Sequence, residues 1–239
     1  MTFHDFSRSK ALNNIPEKKL EHKLKSIELS NDSIDVKNLK SVIYNRYAES
    51  NIPLEYWDLR MDKDFVGDPK LLDKYNDLVS DLKGHYIAGT SICFAGSHGV
   101  GKSLATTNIL KKACQKGFSC LYSDISMIVS VLTQASNEDK FLARRELCLT
   151  DFLVIDEVDY RFFSSDASSE LFAKTLEGVF RSRRQNKLPT FICTNSPNIL
   201  EGFDGPLKQS LDSLFSDKLK VFYVLDKDYR KKTFVKETV

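Results

Sequence analysis

The clearest chemistry in this chain sits in eight consecutive residues, Gly96-Ser97-His98-Gly99-Val100-Gly101-Lys102-Ser103. Their spacing is G-x-x-x-x-G-K-[ST]. Glycines in this pattern let backbone N–H groups turn inward around a phosphate chain, and a helix opening at the lysine points its positive end at the same charge. Lys102 is placed to reach the β- and γ-phosphates of ATP, and Ser103 to offer its hydroxyl to a magnesium ion. Gly96, Ser97, His98, Gly99, Val100, Gly101, Lys102, Ser103 and Leu104 are therefore the candidate ATP-contacting residues. His98 occupies a variable position of the loop and reads as a tolerated passenger.

Two further stretches join this loop. In Phe152-Leu153-Val154-Ile155-Asp156-Glu157, four apolar residues end in two acids, as expected of a buried strand whose carboxyl end reaches a ligand crevice. Asp156 is the candidate for orienting magnesium together with Ser103, and Glu157 for polarising the attacking water. Phe191-Ile192-Cys193-Thr194-Asn195 is another apolar run with a polar end. Taken alone, Asn195 before Ser196-Pro197 is a turn former. Placed after the two phosphate motifs, it is a candidate for holding the lytic water or sensing the γ-phosphate, so Lys102, Asp156, Glu157 and Asn195 form the expected catalytic set.

Such residues need a scaffold that brings strand ends together. Short apolar runs at Ser91 to Ala95, Cys120 to Tyr122, Phe152 to Ile155, Thr190 to Cys193 and Val221 to Leu225 alternate with segments of helical period. The pattern predicts an α/β fold with a five-stranded, mainly parallel sheet between layers of helices. One helix follows Lys102 to about Lys116, where Gly117 can end it, and another carries Phe172, Leu176, Val179 and Phe180 on one face.

The first 50 residues have a different texture. Leu20, Leu24 and Ile27 recur at helical spacing after Pro16, and a second helix after Asn31-Asp32-Ser33 places Val36, Leu39, Ile43 and Tyr47 on one face. The chain divides on this reading into a helical arm at 1–50, a connector at 51–90 and the ATPase domain at 91–239. Apolar stripes on a polar arm predict docking, either on the chain's own body or on a partner.

Composition sets the outer limits. With 239 residues, 41% hydrophobic and 28% charged, the chain has the balance of an ordinary soluble protein, and neither disorder nor a collagen-like structure fits. No apolar run approaches a membrane span and the first ten residues lack a secretory apolar core, so a cytoplasmic location is expected. The five cysteines are scattered without metal-ligand spacing, which speaks against zinc and predicts buried reduced thiols. The net charge of +2 gives no bulk attraction to nucleic acid. Any such site must be local, and Arg181, Arg183, Arg184 and Lys187 form the candidate block. The same cations could equally complement the dipole at a helix end.

Together these motifs resemble the AAA+ ATPases, and more narrowly the DnaC/DnaI-type replicative helicase loaders and the related IstB-type transposition ATPases. Three more segments carry the resemblance: Ile52-Pro53-Leu54-Glu55-Tyr56, like an I-P-x-x-Y entry segment; Arg183 to Thr194, like R-x-x-x-x-x-P-T-x-x-x-(S/T); and Asp228-Tyr229-Arg230. It spans residues 45 to 232. The resemblance implies self-association through AAA+ domains, Arg230 as a second nucleotide sensor, and single-stranded DNA as a ligand, while the length of the ATPase portion at 91–239 leaves room for only a minimal lid. It also implies that the arm grips a hexameric DnaB-type helicase, here through Leu20, Leu24 and Ile27, in a bacterial or phage-infected cell. The arm contains no cysteine, as in the zinc-free DnaC arrangement. In one respect the chain departs from the family: where loaders carry an arginine finger it reads Asp212-Ser213-Leu214, with no arginine between Gln185 and Tyr229. Lys208 or Lys218 could substitute. The other readings are a transposition regulator on duplex DNA and a nucleotide-gated adaptor with little hydrolysis.

Overall fold

Five short runs become parallel strands, four of them buried on both faces and the fifth, at an edge, leaving Val221 and Tyr223 exposed. In the computed structural model, which describes residues 12–13, 15–158, 167–196, 209, 212 and 219–224, these are β1 (Ser91–Gly96), β2 (Cys120–Asp124), β3 (Phe152–Val158), β4 (Thr190–Thr194) and β5 (Leu219–Val224). They lie in the order β2-β3-β4-β1-β5, and every pairing among them is parallel. Alternation along each strand feeds two cores. Ile92, Phe94, Phe152 and Val154 join a cluster with α5 (Lys102–Gln115) and α3 (Pro69–Ser80). Cys93, Ala95, Leu153 and Ile155 join a second cluster, on the opposite face, with α6 (Ile125–Gln134), α7 (Asn137–Leu149) and α8 (Ala167–Gln185). The expected α/β sheet is the one observed.

Local signals set the helix ends. Asp68 caps α3 through Lys70 N at 2.9 Å, with Pro69 in the first turn, and Asp124 and Ser136 cap α6 and α7 in the same way. Within the connector α3 breaks at Asp81, whose carboxylate then caps α4 (Leu82–Ala88) through Gly84 N. Cys93, Cys114, Cys120 and Cys193 are buried, and burial pushes the Cys93 thiol up to about 12, as inert core thiols require. Among the described residues, no helix is long and apolar enough to cross a membrane.

The arm is built into the body. α1 (Glu17–Glu28) packs on α2 (Ile34–Glu49), and Tyr47 of α2 is buried in the same core as Trp57, Phe94 and Ile109. Arg46 donates to the Cys114 carbonyl at 3.0 Å, closing the C-terminal end of α5. A helix-in-groove contact through Leu20, Leu24 and Ile27 is therefore corrected: Ile27 is buried, Leu20 packs against the main core and Leu24 is half-buried. The α2 stripe splits as well. Ile43 and Tyr47 face inward, whereas Val36 and Leu39 join Leu29, Ile34 and Val42 among the exposed apolar residues.

Candidate nucleotide-binding site

The G-x-x-x-x-G-K-S loop joins the end of β1 to the start of α5, two elements pinned in the core by Ala95, Val100 and Ala105. Its glycines are needed where the backbone is crowded or turned. A Cβ on Gly96 would run into the Val224 carbonyl oxygen of β5. At Gly101 the φ is +96°, and a Cβ would stand 2.6 Å from the Phe65 ring. Gly101 also takes the N-cap position of α5, so no side chain caps the helix, and its first amides keep their capacity to bind an anion.

Lys102 is 6% exposed, and its Nζ donates to the carbonyls of Gly96 at 2.8 Å and Ser97 at 2.7 Å and to Oδ1 of Asn195 at 3.0 Å. The amine is folded back on its own loop. Asn195, just beyond β4, is thereby brought to the lysine across 93 positions of sequence. Ser103 and Leu104 are half-buried in the first turn of α5, while Ser97 and His98 are exposed at the loop tip.

Asp156 and Glu157 sit where β3 ceases to match β4. Ile155 pairs with Ile192 and Val158 with Thr194, so two residues of β3 face one of β4. This bulge puts Glu157 at φ +56°, sparsely populated for a residue with a side chain, and exposes it at the carboxyl edge of the sheet. Asp156 is turned the other way and is 4% exposed. Its Oδ1 accepts from Glu157 N at 2.7 Å and its Oδ2 from the Tyr122 hydroxyl at 2.8 Å. Burial, reinforced by that carboxylate, pushes the Tyr122 phenol far up, so it remains a donor.

Residues outside the motifs complete the site. Tyr122 pairs with Val154 in register, so its ring lies diagonally from Asp156 on the same face of the sheet. Tyr56 ends the short 3₁₀ turn Leu54–Tyr56, and its phenol interacts with both Ser103 and Asp156 while burial pushes its pKa up. The Tyr56 phenol hydrogen-bonds Ser103 and feels the charge of Asp156, so the Ser103 hydroxyl and the Asp156 carboxylate lie on the same side of the site. Magnesium fits it, since that ion takes one or two protein oxygens and completes its shell with phosphate and water. No group of three or more His, Cys, Asp or Glu side chains among the described residues could hold a metal by itself. Tyr56 is the tyrosine of the I-P-x-x-Y segment. Nothing in the sequence marks Tyr122 or Phe65.

The basic block does not survive intact. Arg183 is 1% exposed and is corrected from a DNA-facing residue to an internal clasp. Its guanidinium donates to the carbonyls of Leu147 at 2.9 Å and Thr150 at 2.8 Å at the end of α7, to Pro189 O at 2.7 Å, and to Thr190 Oγ1 at 2.8 Å. This explains the R-x-x-x-x-x-P-T spacing, because the arginine reaches the proline carbonyl and threonine hydroxyl that open β4. Arg181, Arg184 and Lys187 are exposed, with Arg181 ion-paired to Glu177 at 2.6 Å. Arg230, Asp159, Lys208, Lys218 and Ser213-Leu214 lie outside the described residues, as does any lid beyond Val224.

A family model described as IstB-like ATP binding protein matches residues 73–195, just over half of the chain. No curated protein matches the sequence. Among solved structures, a putative primosome component from Streptococcus pyogenes serotype M3 superposes with a TM-score of 0.61 at 14% identity, covering 77% of this chain and 94% of that one. The DnaC helicase loader superposes with a TM-score of 0.53 at 19% identity, covering 72% and 99%. The replication initiator DnaA bound to AMPPCP and single-stranded DNA gives 0.57 at 16% identity, covering 72% of this chain and only 50% of its own. The shared architecture is the AAA+ P-loop fold.

Proposed function

The chain belongs to the family of IstB-like ATP binding proteins, and from that premise we propose that it hydrolyses ATP to ADP and phosphate in order to place a hexameric DnaB-type helicase on single-stranded DNA. The observation that carries the ATP site is the uncapped start of α5 beside a buried Lys102 whose amine rests on loop carbonyls and Asn195. Those contacts are ones a phosphate chain can replace. Lys102 then swings from Gly96 O and Ser97 O to the β- and γ-phosphates, while the amides of the loop and first turn surround them. Magnesium, when bound, neutralises charge on those phosphates. Ser103 and Asp156 hold it, Glu157 polarises the water from its bulged, exposed position, and Asn195 aligns that water or reports the γ-phosphate.

The remaining roles follow from what is exposed. Arg181, Arg184 and Lys187 are the exposed members of the basic block and the ones offered to the DNA backbone. The helicase contact passes from the inward stripe of α1 to the outward apolar residues of the arm, Leu29, Ile34, Leu39 and Val42. ATP-bound copies associate through their AAA+ domains, and Arg230 is the second sensor. A second reading, an ATP-dependent regulator that recruits a transposase on duplex DNA, is favoured by the family model itself. Co-purification with a helicase hexamer or with a transposase separates the two. Glu157→Gln tests the chemistry: ATP should still bind while turnover falls by roughly 100-fold or more. Turnover at the wild-type rate would move the water-positioning role to another residue.

A further inference from the structure

Among the described residues, Asp156 is the one buried carboxylate, and its orientation depends on a residue that belongs to none of the phosphate motifs. Tyr122 stands on β2, one of the two edge strands, and gives its hydroxyl to Asp156 Oδ2 at 2.8 Å. With Glu157 N on Oδ1 at 2.7 Å, both oxygens have a donor and the orientation of the carboxylate is restrained from two sides. A charge-assisted O–H···O⁻ bond in a buried setting is among the stronger hydrogen bonds a protein makes.

The backbone of the same tyrosine is fastened elsewhere. Tyr122 N donates to Ser50 O at 2.9 Å, and its carbonyl accepts from Asn51 Nδ2 at 3.0 Å. Ser50 ends the arm just after the last turn of α2, Asn51 opens the connector, and both are buried. Asn51 is held at φ +53°, so the chain turns there in a conformation that side chains rarely adopt. The Ser50 hydroxyl, in turn, lies 3.2 Å from Cys114 Sγ near the end of α5. One residue thus touches the buried acid with its side chain and the arm–connector junction with its backbone.

We propose that Tyr122 is a positioning residue that presents Asp156 to the metal of a bound magnesium–nucleotide and ties that carboxylate to the arm–connector junction. Nucleotide phosphates reach the loop without it, whereas the magnesium-dependent part of the affinity requires it. This rests on the reading of the loop as a nucleotide site. A partner group that orients a metal ligand contributes roughly 10- to 100-fold to metal affinity.

The test uses the full chain and a fluorescent ADP, titrated in EDTA and across a magnesium series. Tyr122→Phe should bind the probe in EDTA within about two-fold of wild type but need roughly ten-fold more magnesium for half-maximal tightening. Asn51→Ala, which leaves Asp156 untouched, should shift the magnesium midpoint in the same direction by a smaller factor, and it serves if the phenylalanine variant fails to fold. Hydrogen exchange gives an independent readout. Magnesium should slow the amides of residues 50–57 in the ADP-bound wild type and not in Tyr122→Phe. An unchanged magnesium midpoint in both variants overturns the proposal, as does an equal loss of affinity with and without magnesium. Wild type that fails to bind the probe under any condition overturns the nucleotide reading instead, a result distinct from either of these.

Discussion

Two regions of the molecule bury a cation against backbone carbonyls, and they have opposite meanings. At the loop before α5, Lys102 is 6% exposed and lies on Gly96 O and Ser97 O. At the corner between α8 and β4, Arg183 is 1% exposed and lies on Leu147 O, Thr150 O and Pro189 O. Burial and hydrogen bonding alone do not separate them. What separates them is what happens on release. Lys102 is a single amine on a flexible stem, its carbonyls belong to a glycine loop, and uncapped amides stand ready for an anion. Arg183 is a rigid fork whose donors close the end of α7 and the start of β4 at once, so nothing can replace it without leaving several buried carbonyls unpaired.

The sharpest way to break this contrast is Arg183→Ala. Removing the clasp leaves the buried carbonyls of Leu147, Thr150 and Pro189 without this donor and should lower the unfolding free energy by about 3–5 kcal/mol. Urea denaturation reads this directly. A variant with wild-type stability that instead loses DNA binding would return Arg183 to the DNA surface.

Lys102→Ala should do the reverse. ATP affinity should fall by at least about 100-fold, equivalent to losing charge-assisted contacts worth roughly 3 kcal/mol, while the urea midpoint moves little. Retention of normal ATP affinity would refute the phosphate-cradle assignment.

The contrast also shows what was legible in the sequence. The loop, β3 and β4 could be read because their chemistry is local: glycines, apolar runs and terminal polar residues lie within a few positions of one another. Arg183 was misread because its neighbours in sequence, Arg181 and Arg184, are exposed, while its partners at Leu147 and Thr150 come from another helix. Tyr122 escaped for the same reason, since an aromatic residue on a strand ordinarily signals packing and its hydroxyl meets Asp156 only through sheet register. The direction of the α1 stripe could not be fixed either. Periodicity gives a face, and only the tertiary core at Tyr47 and Trp57 decides which way it turns.

Lys111 supplies a third buried cation and a pH-dependent version of the comparison. It is 5% exposed, donates to Tyr56 O at 2.8 Å and Leu59 O at 2.5 Å, and so pins the connector that carries Tyr56. Burial lowers its pKa to about 8. Below that value both folded and unfolded chains carry the charge, and the folded state bears the full cost of burying it. Between about 8 and the ordinary lysine value of 10.5, the unfolded chain binds the extra proton, so stability contributed at this site rises with pH. Wild type should therefore gain stability relative to Lys111→Met as pH is raised from 8 to 10. The difference between the two proteins cancels the buried tyrosines and cysteines, whose raised values act in the opposite sense. A pH-independent difference would mean that Lys111 keeps its charge through the range.

The smallest expected effect falls on the cations that remain exposed beyond the clasp. Lys187 holds φ +52° just after α8, where its N–H closes on Arg184 O at 3.1 Å, so its position is set by the backbone and its side chain is free to face a ligand. If Arg184 and Lys187 each neutralise one phosphate of single-stranded DNA, replacing either with alanine should reduce the slope of log Kd against log salt by about 0.7. Arg181→Ala should change it less than Lys187→Ala, because Glu177 already pairs with that guanidinium at 2.6 Å. A slope indifferent to all three substitutions would leave these residues as complements to the α8 dipole, and the DNA contact would have to be sought on another face.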